Sequence, residues 1–135
     1  MLGDLIYEGK YKIANTRILN TEENKKEYNF TEEGRFKDVE ITLIGTFWTV
    51  SAGKAVEYGE GQHIATTKDG IETVTFNGYG IARPKEDSKC ISFNGSFFYK
   101  TSSNGRLAFL NNLVGIFEAE EDESGNDVVK VWEWK

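Results

Sequence analysis

A chain of 135 residues, 39% hydrophobic and 28% charged, suits one domain with its own core (1–135), and its nine Phe, six Tyr and three Trp exclude disorder. A net charge of -6 lacks the basic footprint that neutralises phosphates, so neither nucleic acid nor an anionic membrane surface is an expected partner. One Cys and one His exclude a disulfide framework and a His/Cys metal set, so no metal or cofactor is expected. No run nears the roughly 20 apolar residues that span a bilayer, and Met1-Leu2-Gly3-Asp4-Leu5-Ile6 lacks a signal's apolar stretch; the expected compartment is the cytoplasm.

The first predicted strand runs from about Leu5 to Leu19, with Leu5, Tyr7, Gly9, Tyr11 and Ile13 on one face. Residues 20–38 are rich in Glu, Lys and Arg, broken by Tyr28, Phe30 and Phe36, and read as a polar hairpin or flap. Alternating runs follow at about Val39 to Val50, Ala55 to Thr67, Ile71 to Arg83, Lys89 to Thr101, Arg106 to Glu121 and Asp127 to Trp134. Turn chemistry separates them: Ser51-Ala52-Gly53, Asp69-Gly70, Pro84 to Ser88, Ser103-Asn104-Gly105 and Glu123-Ser124-Gly125-Asn126. This makes seven strands, or eight if the charged segment supplies one. Even spacing and long strands predict an all-β fold, a closed antiparallel up-and-down barrel of about eight strands with little or no helix.

Glycine in a strand interior weakens it and needs a reason. Here it recurs in mid-run on the apolar faces, at Gly9, Gly45, Gly78, Gly95 and Gly115, with Gly59 and Gly61 on the matching face of their strand. A two-residue Asp69-Gly70 turn would place Gly61 against Gly78 and Gly59 against Gly80. A four-residue loop at 85–88 would then set Gly95 beside Gly78. Such a belt permits the coiling that barrel closure needs and leaves room inside for a ligand. With the glycine face inward the lumen is lined by Tyr7, Tyr11, Ile13, Leu43, Phe47, Phe76, Ile91, Phe93, Phe97, Tyr99, Phe109, Leu113 and Phe117, and Glu57 and His63 share that face.

His63, opposite Phe76, is a candidate acid/base with Glu57 or Glu72, or a polar anchor together with Glu57, although Glu57 lies about 20 Å from it along an extended strand. A lone strand histidine is more often structural, and no motif supports a haem ligand. Cys90 and Ile91 alternate in direction, which separates the thiol from the His63 face and leaves it inert. The acidic run from Glu118 to Asp127 lacks calcium-loop spacing and reads as solvated charge. Trp132 and Trp134 lie on one face of the last strand, either closing the barrel against strand one or forming an outward stripe suited to a homo-oligomer contact.

Taken together, Gly59-Glu60-Gly61, Asp69-Gly70, Asn77-Gly78-Tyr79-Gly80, Asn94-Gly95-Ser96, the Leu107 to Glu118 segment and the Trp-Glu-Trp-Lys ending resemble small uncharacterised prokaryotic proteins of the allene-oxide-cyclase-like barrel type. The resemblance covers about residues 39–135 and implies an eight-stranded, lipocalin-like barrel. The plant cyclases hold a Glu/Asn cluster in an apolar lumen, which has no residue-by-residue match here, so cyclisation is an analogy of fold. Three functional readings follow. The first is a lumen that binds a small apolar or aromatic molecule, lined by Tyr11, Phe47, Phe76, Phe93, Phe97 and Phe117 with Glu57 and His63 as polar anchors. The second is an isomerase or cyclase using a buried Glu or His, and the third is a filled barrel acting as a structural or oligomerising module.

Overall fold

A computed structural model describes residues 2–85, 90–121 and 126–135. Eight strands follow one another: β1 (Leu2–Asn20), β2 (Lys25–Phe36), β3 (Val39–Ser51), β4 (Glu57–Thr67), β5 (Thr73–Pro84), β6 (Ile91–Lys100), β7 (Val114–Glu121) and β8 (Asp127–Trp134). Each pairs antiparallel with the next, and β8 returns to β1, so the sheet closes into a barrel without free edges. The expected fold class is the one observed. No helix among the described residues is long and apolar enough to cross a membrane.

The charged segment supplies the eighth strand rather than a flap. Phe30, Glu32 and Phe36 point inward and are buried, while Thr31, Glu33 and Arg35 between them face water. Charge on the solvent side of an amphipathic strand masks its period of two. A further correction concerns the run from Arg106 to Glu121, where strand begins only at Val114. Residues 101–113 carry a single 3-10 turn, Ala108–Leu110, and fold across one end of the barrel. Leu107 and Leu110, three apart, both point into the core at 0% exposure, which is helical rather than strand spacing. Glu72 anchors this cap by accepting the Leu107 backbone N–H at 3.0 Å and the Ser103 hydroxyl. Phe109 and Leu113, expected on a strand in the lumen, instead pack against the core from the cap.

Between β4 and β5 the register is the expected one, with Gly61 opposite Gly78 and Gly59 opposite Gly80. The turn differs. Thr67 N–H donates to the Glu72 carbonyl at 3.0 Å, closing a four-residue loop in which Gly70 takes φ +77. Between β5 and β6 the register is displaced by two residues, placing Gly80 opposite Gly95 and Phe97 opposite Gly78. The reason is that Lys85 N–H donates to the Cys90 carbonyl at 2.8 Å, so residue 85 closes the ladder with 90 where an 85–88 loop would have paired 84 with 89, and each partner moves one residue along the chain. The expected turns at 84–88 and 123–126 fall largely outside the described residues. A shift by two preserves the inward face, so the glycines remain inside.

These glycines are filled by neighbours' rings. A Cβ on Gly78 would lie 2.4 Å from the Phe97 ring, and one on Gly95 would lie 1.9 Å from the Tyr79 carbonyl oxygen. Aromatic side chains thus lie flat on bare backbone, and the wall at Gly80 and Gly95 is tight enough to exclude any side chain.

At β1 the pairing with β8 slips between Leu5 and Tyr7, which turns both Ile6 and Tyr7 inward. On β8 the inward residues are Val129 and Val131; Trp134 is 54% exposed and Trp132 half-buried. The strand closes the barrel through its backbone, and the indoles do not seal the core end.

Candidate functional site

The cap end of the barrel is solid: Tyr7, Phe36, Ile41, Tyr99, Leu107 and Leu110 fill it. Above them lies a chamber of about 50 Å³, room for about three or four waters. Of the eight expected liners, Tyr11, Phe47, His63, Phe93, Phe97 and Phe117 surround this chamber. Phe76 does not line it but lies beneath His63, ring on ring at 4.3 Å and 5°. Glu57 stands higher, in a vestibule of about 260 Å³ at the end away from the cap, where its carboxylate accepts the Thr49 hydroxyl at 2.9 Å. Tyr11, Phe47, Phe93 and Ala119 border both spaces and form a neck between them. Ile91 belongs to the vestibule rim at 51% exposure rather than to the lumen, because β6 begins there.

The chamber also holds a carboxyl group from β2, the segment expected to form a polar hairpin or flap. Glu32 is 7% exposed and accepts a hydrogen bond from the Tyr7 hydroxyl. Burial pushes its pKa up to about 7, against which the Tyr7 hydrogen bond acts only in part. The same burial, with Glu32 beside it, drives the Tyr7 phenol far above its ordinary value. The signal was present in the alternation Phe30-x-Glu32-x-Gly34-x-Phe36, which puts one acid on an apolar, glycine-bearing face. The density of charge around it concealed that phase.

His63 is 9% exposed and packed edge-on by Phe30 and Phe97 at 5.6 and 5.0 Å. Gly45, between Phe30 and His63 in the sheet, leaves the space in which these two rings meet. Burial lowers the imidazole pKa to about 4, with its contact to the Phe76 carbonyl opposing, so the ring is neutral at physiological pH. Its Nδ1 lies 3.1 Å from that carbonyl, which can only accept; Nδ1 therefore carries the proton. Nε2 is left as a bare acceptor on the chamber wall, with no hydrogen-bond partner among the described residues. Deeper still, the Tyr99 hydroxyl is buried without a partner among the described residues, a desolvation cost of about 1–3 kcal/mol.

Among the described residues, no group of three or more His, Cys, Asp or Glu side chains converges closely enough to hold a metal ion. Cys90 is half-buried and lies outside the chamber lining.

No protein-family model and no curated protein matches the chain. Its fold is similar to the crystal structure of a protein with unknown function from Clostridium acetobutylicum ATCC 824, with a TM-score of 0.74, 9% identity and 96% of each chain covered. At that identity the likeness establishes a shared barrel architecture and nothing about chemistry.

Proposed function

We propose that the barrel binds a small, mainly apolar molecule in its lumen, with one polar end directed at Glu32 and His63. The supporting observation is an aromatic neck leading from an open vestibule to a chamber whose wall carries an unused acceptor, His63 Nε2. An acceptor left over at the edge of a void is where a ligand atom or water belongs. Apolar burial against Phe47, Phe93 and Phe117 would supply affinity, and the polar pair would set orientation. A carboxyl pushed up to about 7 in the same chamber as a neutral imidazole also suits proton transfer to a bound molecule, the basis of an isomerase reading.

Because the chain has a single histidine, its ring-proton NMR signals are unambiguous reporters. Titration with small aromatic probes such as 2-phenylethanol is expected to shift the His63 signals saturably. Ala119→Leu, which narrows the neck, is expected to weaken binding by about tenfold or more. A probe that shifts the signals and is recovered unchanged indicates binding, and a chemically altered one indicates catalysis. If no probe in the series moves the His63 signals, the lumen reading fails.

A further inference from the structure

Every charged side chain facing the chamber and vestibule, among the described residues, is a carboxylate. Glu32 lines the chamber; Glu57, Glu121 and Asp127 line the vestibule; no Lys or Arg faces either space. The cross-strand ladder brings Tyr11 of β1 opposite Glu32 on one side and Asp127 on the other. The Tyr11 phenol is accordingly pushed above its ordinary pKa, by burial first and then by Asp127, Glu32 and Glu121. The walls between the two levels are aromatic faces: Tyr28 stacks on Phe47 at 4.8 Å, and Phe93 follows at 6.1 Å.

We propose that the lumen's ligand is an organic cation, a primary ammonium on a short apolar or aromatic skeleton, with the ammonium seated between the Glu32 carboxylate and His63 Nε2. This rests on the lumen-binding reading above and names its ligand class. An ammonium offers three donors and no acceptor, which complements a chamber presenting a carboxyl and a bare imidazole nitrogen. The skeleton would lie in the neck against Tyr11, Phe47 and Phe93, whose ring faces attract positive charge during passage. Vestibule carboxylates raise the local concentration of cations and repel anions. The carboxylates are too dispersed to act together on a metal ion, so the cation they suit is one that brings its own apolar body.

Burying a new charge is costly, and the chamber offers a way round that cost. In the empty barrel below neutral pH the Glu32 carboxyl is largely protonated. An arriving ammonium ionises it and the carboxyl proton leaves to solvent, so one positive charge replaces another and the net charge of the chamber is unchanged. The groups facing Glu32 are Tyr7 and Tyr11 of β1, His63 of β4 and Tyr99 of β6, with Glu121 of β7 and Asp127 of β8 at the mouth and Glu33 adjacent on its own strand. None of the phenols ionises near neutrality and His63 stays neutral, which leaves Glu32 as the proton donor.

The test compares three probes of one shape, phenethylamine, 2-phenylethanol and 3-phenylpropionate, by calorimetry and His63 NMR at pH 8 and pH 6. The amine is expected to bind about tenfold or more tightly than the alcohol at pH 8, and the carboxylate not at all. At pH 6 the binding heat of the amine should vary with the buffer's ionisation enthalpy, reporting close to one proton released, while that of the alcohol should not. Glu32→Gln is expected to abolish the amine's advantage and retain alcohol binding; the proton-release measurement on the unaltered protein stands whether or not that variant folds. Alcohol binding equal to or tighter than amine binding, or amine binding without proton release, overturns the cation assignment and leaves the lumen reading standing. Binding by none of the three overturns both.

Discussion

The two ends of the barrel are built from the same alternation of aromatic and glycine residues, yet they differ in what covers them. At the cap end, Ile6, Phe36, Ile41, Val74, Leu107 and Leu110 are all at 0% exposure, because residues 101–113 fold over the opening. At the other end Tyr11, Ile13, Phe47 and Phe93 pack against the core but stay half-buried around an open vestibule. One short apolar turn thus decides whether an eight-stranded cylinder is a core or a cup. Stability is concentrated where the cap closes, and access where none does.

That contrast is sharpest when matched truncations are made at the two ends. Leu110→Ala removes a fully buried side chain from a site hemmed in by strands and is expected to cost about 2–5 kcal/mol. Phe93→Ala at the half-open neck is expected to cost only about 1–2 kcal/mol, because its ring is already part-solvated, while widening the passage to the chamber. Denaturant unfolding of both variants, with m-values compared, checks the order; equal losses would show that the cap is not the stabilising end.

Between the ends, pH acts through the two buried titratable groups with opposite signs. Glu32 has its folded pKa raised to about 7 from the usual carboxylate value, so its contribution to stability is present at acid pH and is lost as pH rises towards 7. His63 has its folded pKa lowered to about 4 from an ordinary 6.5, so its contribution is present above 6.5 and is lost as pH falls through 4. Across roughly pH 4.5 to 6.5 the two slopes oppose, and stability should be nearly flat. Glu32→Gln is expected to uncover a rise in stability with pH over that window, up to about 3 kcal/mol. Urea unfolding at half-unit pH steps reads this directly, and a flat profile in the variant would contradict it.

The smallest change is expected outside both ends. Arg17 and Glu27 pair across β1 and β2 at 3.3 Å, with the Arg17 side chain 66% exposed. Arg17→Ala should cost no more than about 0.5 kcal/mol, and a larger loss of thermal stability would mean that surface ion pairs help to hold the barrel.

Period-two alternation carries most of the fold in the sequence: β3 to β6 and β8 fall within a few residues of their expected bounds, and Gly61 meets Gly78 whether the turn holds two residues or four, because lengthening a loop equally on both sides leaves the register unchanged. Two stretches were obscured, for different reasons. In β2 the outward charges swamp an inward row of only four residues, so Glu32 passed as one solvated acid among many. In residues 107–113 the apolar residues fit either period in so short a run, and only tertiary packing selects the turn. The aromatic half of the site was therefore visible from the sequence, while its main carboxyl was not. Its one histidine was visible, but the bare Nε2 depends on a carbonyl from the neighbouring strand, which no sequence pattern encodes.

Closure of β8 onto β1 bears on how the chain is made. Tyr7 pairs with Val131, and Leu2 with Trp134, so the first strand of the barrel to be synthesised must wait for the barrel's last before its second edge is covered. Until then β1 and β7 expose unpaired backbone, the condition in which nascent sheets recruit wrong partners. Contacts this distant in sequence also slow the final step of folding. The seam between the first and last strands is thus where synthesis rate and chaperone protection would bear most heavily on the yield of native protein.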